Sequence, residues 1–423
     1  MSARHRTLSP LSPVSSGVAV VGTRRRPPPL AARGVMRLLE RLQIGRLDLH
    51  GPDGIWRHFG HDTQGPHVEV TLHDWRVMGE VLRRGDMAFA EAWTRRAWDT
   101  PDLPALLELL AANRDIIARA LHGSLLGRLP DRIRHLLRRN SRAGSRDNIH
   151  AHYDIGNAFY RLWLDPGMTY SSALFSGHAA QTLEQAQNAK YGRVLDQLQL
   201  QPGARVLEIG CGWGGLAEAG QQRGLHMDGI TLSTEQLDYA RDRLANALPQ
   251  ARLELCDYRD LDRLAPPEGY DGVASIEMFE AVGEAYWPGF FRTLSRHLKP
   301  GGRACIQTIT IADDLFDDYR RGTDFIQRYI FPGGMLPSRA AFMAQAEAAG
   351  LEVVEELAFG PDYARTLALW RERFTAQLDA VRTQGFDDRF VRLWTFYLAY
   401  CEAGFSQGST NVWQFTLRHA RPR

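Results

Sequence analysis

Val206-Leu207-Glu208-Ile209-Gly210-Cys211-Gly212-Trp213-Gly214-Gly215 is the stretch from which the rest of the chain can be placed. A short apolar run holding one acid leads into a turn dense in glycine, and a helical pattern opens at Leu216. That is a strand, a ligand loop and a helix N-terminus, in which glycine lets the backbone approach a ligand that a Cβ would hold off. Gly210, Gly212 and Gly215 fit the G-x-G-x-x-G spacing of a dinucleotide site, a weak signal by itself. Two details oppose it. The ligand lies at the carboxyl ends of the strands, and the second strand, about His226 to Leu232, ends in Thr231-Leu232-Ser233 with Asp228 inside it. Asp228 is therefore poorly placed to hold a ribose. Glu208 sits two residues before the first glycine, where a carboxylate meets a cationic amino-acid group.

The better reading is an S-adenosylmethionine (SAM) methyltransferase loop, and the sequence downstream agrees. A helix is expected from Glu235, a third strand ending at Cys256-Asp257-Tyr258 and a fourth from Asp271 to Ile276. Leu298-Lys299-Pro300-Gly301-Gly302 reads as a turn before a fifth strand, Arg303–Ile309. Strands alternating with helices predict an α/β, doubly wound, Rossmann-like parallel sheet with right-handed crossovers. Residues 311–340 are long for a loop and rich in aromatics (Phe316, Tyr319, Phe325, Tyr329, Phe331), as a lid inserted after the fifth strand would be.

Upstream the composition changes. Residues 1–35 hold no acid and include Arg24-Arg25-Arg26-Pro27-Pro28-Pro29, a disordered basic leader by composition. Ordered-looking sequence begins at Met36, an expected alternative start. Residues 36–127 read as a small α+β domain: His67–Leu72 alternates like a half-buried strand, and Trp75, Met78, Val81 and Leu82 follow helical spacing. Its Phe89, Trp93 and Trp98 are either core or the wall of a groove for an apolar ligand. A basic linker over 128–148 carries Arg128, Arg132, Arg134, Arg138, Arg139, Arg142 and Arg146, with Ile133, Leu136 and Leu137 between them. It is either a solvated connector or a segment suited to an anionic membrane surface. The α/β domain then fills 149–423.

The 423 residues carry a net charge of only +2, so no general affinity for nucleic acid follows. Cys211, Cys256, Cys305 and Cys401 show no paired metal spacing and suit a reducing compartment. No apolar run reaches the ~18 residues needed to cross a bilayer, so any membrane contact is expected to be peripheral.

The motifs His152-Tyr153-Asp154-Ile155-Gly156-Asn157, Leu207–Gly214, Ile230-Thr231-Leu232-Ser233, Met278-Phe279-Glu280, Tyr329-Ile330-Phe331-Pro332 and Tyr400-Cys401 occur in this order. Together they resemble the cyclopropane fatty acid synthases and the related mycolic acid cyclopropane synthases, from about residue 40 onward. The resemblance implies a seven-stranded sheet with an antiparallel last strand, for which Asn411–Leu417 is suited. It implies SAM as cofactor and a cis double bond in an acyl chain of membrane phospholipid as substrate. By motif position Tyr170 and Ser171 would touch the methionine part of SAM, together with Glu208, Gly210 and Gly212. Thr231, Leu232 and Gln236 would line the ribose and adenosine, with Asp257, Tyr258, Arg259 and Ile276 bordering the rest.

An alkene has no proton to lose before methyl transfer, and the transfer leaves a carbocation that aromatic faces stabilise. A base must then take a proton. The resemblance implies a bound bicarbonate held by a polar cluster, in which Glu280 and Tyr363 take two positions and Cys401 matches a further one. Ser172 and Gln307 stand where the best-known members have cysteine and histidine. That departure opens a second outcome, a methylene- or methyl-branched chain in place of a cyclopropane ring. Bland alternatives stand beside these roles: Glu208 as a strand end, Glu280 as a helix cap, Cys401 as core beside Phe390, Leu393 and Tyr397. Gln307 would then merely satisfy a nearby loop. The competing functions are small-molecule O- or N-methyl transfer and a non-catalytic lipid-binding protein. The expected location is the cytoplasmic face of the cell membrane, peripherally attached, with a homodimer allowed.

Overall fold

The computed structural model describes residues 27–61, 64–121, 155–177, 180–245 and 251–421. The acid-free leader up to residue 26, the basic linker and His152-Tyr153-Asp154 lie outside the described residues. Two sheets organise the rest. A small one contains β1 (Arg46–His50), β2 (Trp56–Gly60), β3 (His67–Leu72) and β4 (Trp98–Asp99) in the order β2-β1-β3-β4. In β3 the buried Val68, Val70 and Leu72 alternate with more exposed residues, the period of a strand with one face covered.

The large sheet contains β5 (Arg205–Ile209), β6 (His226–Thr231), β7 (Ala251–Leu255), β8 (Tyr270–Ile276), β9 (Leu298–Ile311), β10 (Leu351–Ala358) and β11 (Thr410–His419). Its order is β10-β11-β9-β8-β5-β6-β7. Strands β5 to β9 pair in parallel, and β11 enters antiparallel between β9 and β10. This is the expected seven-stranded arrangement with an antiparallel last strand. Val206, Leu207 and Ile209 are almost wholly buried because helices cover both faces of the sheet.

One expectation is corrected. Leu298–Gly302 is not a turn before the fifth strand but the opening of β9 itself. The register against β8 shifts between Tyr270 and Gly272, and Gly301 takes a φ of +83°. A glycine that accepts this conformation lets an irregular strand resemble a turn in sequence.

The two sheets belong to one packed body. The helix Arg76–Thr94, kinked at Gly85, meets the helix Asp388–Ser406. There the Arg392 guanidinium lies 3.6 Å from the Trp93 ring centroid, its Nε donates to the Trp93 carbonyl at 2.6 Å and its Nη2 to Asp99 at 2.8 Å. Trp93 Nε1 returns a bond to the Arg392 carbonyl at 3.0 Å. Residues 313–329 fold as two short helices, Asp313–Tyr319 and Phe325–Tyr329. The second is tied to Arg76–Thr94 by Tyr329 to Glu91 and by the Phe325 N–H to Asp86. Among the described residues no helix is long and apolar enough to cross a membrane.

Candidate active site

The carboxyl ends of β5, β6 and β8 open into a cavity of about 1260 Å³. That exceeds the ~300–1,000 Å³ of an ordinary small-molecule site. Its walls come from both sheets. At one end stand Glu208, Gly210, Gly212, Thr231, Leu232, Gln236, Tyr258 and Ile276; at the other, Val35, Leu39, Leu49, Val70, Leu72 and Leu106. Between them lie Tyr170, Ser171, Glu277, Glu280, Phe331, Tyr363, Tyr397 and Cys401. Phe89 and Trp98 stack at 4.2 Å and line the cavity, whereas Trp93 serves the contact with Arg392. All three rings also pack in the hydrophobic core, so core and cavity wall are not exclusive here.

At the cofactor end Gly212 has a φ of +50°, and a Cβ built there would meet nothing within 4 Å. Its missing side chain leaves room in front of the loop. Gly210 is glycine for another reason: at φ +85° a Cβ would lie 2.9 Å from the Met278 side chain. Glu208 is buried, and its Oε2 has no hydrogen-bond partner. Burial pushes its carboxyl up to about 8, against the pull of Lys190, Arg243 and the Ala217 N–H. A buried carboxylate lacking a partner is costly, and an ammonium group arriving from the cavity satisfies it. Lys190, also fully buried, donates from Nζ to Ser171 Oγ at 2.6 Å. Burial lowers its ammonium to about 7, opposed by Glu277, Asp165 and Glu208. Thr231 Oγ1 donates to Gln236 Oε1 at 3.1 Å, so these two side chains brace each other at the start of the helix Thr234–Leu244.

Asp257 and Arg259 are occupied locally. Asp257 accepts from the Arg259 N–H at 3.0 Å and pairs with its guanidinium at 2.5 Å. From that stretch Cys256 and Tyr258 line the cavity. The Ile155-Gly156-Asn157 part of the upstream motif packs behind the loop, where Asn157 Oδ1 accepts from Trp213 Nε1 at 2.7 Å.

The polar centre is built on the end of β8. Glu277 accepts the Ser172 N–H at 2.8 Å and Gln307 Nε2 at 2.7 Å on Oε1, and the Tyr363 hydroxyl at 2.6 Å on Oε2. Glu280 accepts the Ile309 N–H at 2.5 Å and the Thr308 hydroxyl at 3.0 Å on Oε1, while its buried Oε2 has no partner. Burial raises both carboxyls, and the neighbouring Glu277 charge helps push Glu280 to about 8. Glu277 accepts from three donors, which favour its ionised form against the burial that raises it, whereas Glu280 keeps one bare oxygen.

Of the residues singled out in the sequence, Glu280, Tyr363 and Cys401 line the cavity together. Gln307 and Ser172 do not line it and reach it only through Glu277. The expectation that Gln307 lines the site is corrected accordingly: Gln414 and Glu277 hold its amide on either side. The Cys401 thiol is raised by burial and by Asp324, so it stays protonated. Sequence reasoning missed Glu277 and Lys190. The signal for Glu277 was an acid at a strand's carboxyl end, three residues from Glu280. Aromatic rings enclose the centre: Tyr170 and Tyr397 share a hydroxyl contact of 2.7 Å, Tyr170 lies 5.4 Å from Trp370, and Tyr363 stacks on Phe405 at 4.3 Å.

The family model described as mycolic acid cyclopropane synthetase matches residues 140–415. A tuberculostearic acid methyltransferase of Mycobacterium tuberculosis is 41% identical over 371 residues, 85% of this chain and 85% of that protein. The cyclopropane-fatty-acyl-phospholipid synthase of Escherichia coli is 33% identical over 347 residues, 79% of this chain and 83% of that protein. Among solved structures, the cyclopropane synthase MmaA2 from Mycobacterium tuberculosis aligns with a TM-score of 0.59 at 32% identity, covering 64% of this chain and 97% of that one. The mycolic acid cyclopropane synthase CmaA1 complexed with SAH and CTAB aligns with the same TM-score of 0.59, at 33% identity over the same shares. The chain belongs to the mycolic acid cyclopropane synthetase family and is a SAM-dependent lipid methyltransferase.

Proposed function

We propose that this enzyme transfers the methyl group of SAM to a cis double bond in an acyl chain of membrane phospholipid, with a cyclopropane ring as the product. One observation carries the reading: a single cavity is lined by the glycine loop, by an acid and aromatic centre and by a largely apolar arm from the small sheet and its helices. SAM, when bound, supplies an electrophilic methyl group. The chain's own residues do the rest. Glu208 and the glycine loop orient the methionine end. Tyr170, Phe331, Tyr363 and Tyr397 exclude water and present ring faces to a cation on the acyl chain. The acids at the end of β8 receive the proton. A soluble acceptor for O- or N-methyl transfer would leave the apolar arm without a role.

Ser172 and Gln307, at positions where the family resemblance has cysteine and histidine, support a second product, a methylene branch. It has the same balance of atoms as the ring. A saturated methyl branch needs a further hydride from a separate reductant.

The test is expression in a bacterial host lacking its own synthase, fed methionine labelled with deuterium on the methyl group, followed by mass spectrometry of the phospholipids. Acyl chains heavier by one labelled carbon that has lost one deuterium are expected. Ozonolysis separates a ring, which resists it, from a methylene branch, which is cleaved. Unlabelled acyl chains would overturn the reading.

A further inference from the structure

Ser172, Gln307 and Tyr363 are positions that the family resemblance assigns to a cluster holding a bicarbonate. Here the backbone of the first and the side chains of the other two all donate to one acceptor supplied by the protein, the Glu277 carboxylate, at 2.8, 2.7 and 2.6 Å. A carboxylate is planar, singly charged and two-oxygened on the face it presents, as bicarbonate is. Resting on the acyl methyl-transfer reading, we propose that Glu277 is a built-in base that takes the place of the bicarbonate, so that turnover is independent of dissolved bicarbonate.

The backbone is bent to aim this side chain. Glu277 has a φ of +50°, a left-handed conformation that residues with a side chain rarely adopt. Its N–H bonds the Gln307 carbonyl at 2.8 Å, which fixes the bend. Glu277 lines the cavity beside Tyr363.

A row of side chains behind Glu277 fixes which way Gln307 points. Arg193 Nη1 meets Gln414 Oε1 at 2.6 Å, Gln414 Nε2 meets Gln307 Oε1 at 3.0 Å, and Gln307 Nε2 meets Glu277 at 2.7 Å. An amide alone is ambiguous in orientation, but arginine only donates. Gln414 must therefore turn its oxygen to Arg193 and its nitrogen to Gln307, and Gln307 must turn its nitrogen to Glu277. Arg193 is itself anchored on Glu355 at 2.7 Å. Every dipole in the row points a positive end at Glu277, which favours its charged, proton-accepting form. Gln307 and Gln414 are positioning residues in this account.

The step balances. The alkene π pair forms the bond to the transferred methyl carbon, the C–S pair stays on sulfur, and the neighbouring chain carbon becomes cationic. A Glu277 oxygen takes a proton from the new methyl group, whose C–H pair closes the ring onto the cationic carbon. The methylene branch forms when a hydride first shifts from the methyl-bearing carbon to the cationic one, so that the same C–H pair makes the double bond to the methyl carbon. Glu277 ends as a carboxylic acid and loses its proton to solvent before the next turnover.

The experiment uses the full chain, SAM and vesicles of unsaturated phospholipid, in buffer purged of carbon dioxide and in buffer with added bicarbonate. The parent enzyme is expected to turn over equally in both. Glu277→Ala is expected to retain binding of S-adenosylhomocysteine, to lose roughly 100-fold or more in turnover, and to regain part of it with added bicarbonate or formate. Glu277→Gln keeps the volume and should lose turnover without rescue, which tests the idea even if the alanine variant fails to fold. A parent rate that collapses on removing bicarbonate overturns the proposal, as does parental turnover by either variant. Absence of any transfer by the parent in both buffers would sink the acyl methyl-transfer reading instead.

Discussion

Glu277 and Glu280 differ in their hydrogen-bond partners, and that difference is measurable. Glu280 is raised from its ordinary 4.5 to about 8, so the folded protein binds this proton more tightly than the unfolded chain does. The sign follows from linkage: no penalty exists below about pH 4.5, and stability falls as pH rises toward 8, when the unfolded chain has ionised and the folded one has not. Glu280→Gln keeps an oxygen for Ile309 and Thr308 and removes the titration. Its unfolding free energy relative to the parent, from urea titrations at each pH, should therefore climb across that window, with a slope of at most about 1.4 kcal/mol per unit of pH. A constant difference would show that Glu280 titrates normally. Glu280→Gln should also cost less turnover than Glu277→Gln; the reverse order would make Glu280 the base, as its Met278-Phe279-Glu280 motif first suggests. Tyr363 entered through the family resemblance alone, whereas Glu280 and Cys401 were legible in the sequence because each sits in a recognisable motif. Glu277 was not, because strand alternation gives no hint of the left-handed bend that redirects it.

At the scale of elements, six of the seven strands of the large sheet were placed in the sequence; β10 was not, because Leu351-Glu352-Val353-Val354-Glu355-Glu356-Leu357-Ala358 mixes three acids into an edge strand. The opening of β9 was not, since a strand irregularity built on Pro300-Gly301-Gly302 has the composition of a turn. The contact between the two helices was also hidden. Trp93 and Arg392 are 299 positions apart, and neither carries a local signature of the other. That contact supplies a test. Arg392→Ala removes two bonds to backbone carbonyls, the pair with Asp99 and the cation–π contact. A loss of about 1–3 kcal/mol is expected from the unpaired carbonyls and missing charge-assisted bonds, read as a lower urea midpoint. An unchanged midpoint would mean that the two sheets are held together elsewhere.

For the molecule as a whole, the proposed phospholipid substrate would be met at a membrane, and the basic linker lies between the two sheets in sequence. Each basic residue near an anionic surface adds about 1 kcal/mol, screened by salt. Reversing Arg134, Arg138, Arg139 and Arg142 to Glu should strongly weaken binding to anionic vesicles at low salt and change binding to neutral ones little. Equal affinity of the parent for both vesicle types would remove the linker from the account. The cavity shared by both sheets has one more consequence. A polymethylene chain offers no polar feature along its length, and Val35, Leu39, Leu49, Val70, Leu72 and Leu106 give the cavity an apolar wall on the small-sheet side, with Arg83, Arg84, Asp86 and Arg114 also lining it. Under the proposed function the carbon is found by length measured from a stop, as with a depth gauge. Which bond is modified would then be a property of how far the chain slides in, and residues of the small sheet, remote from any chemistry, would set the address at which the chemistry happens.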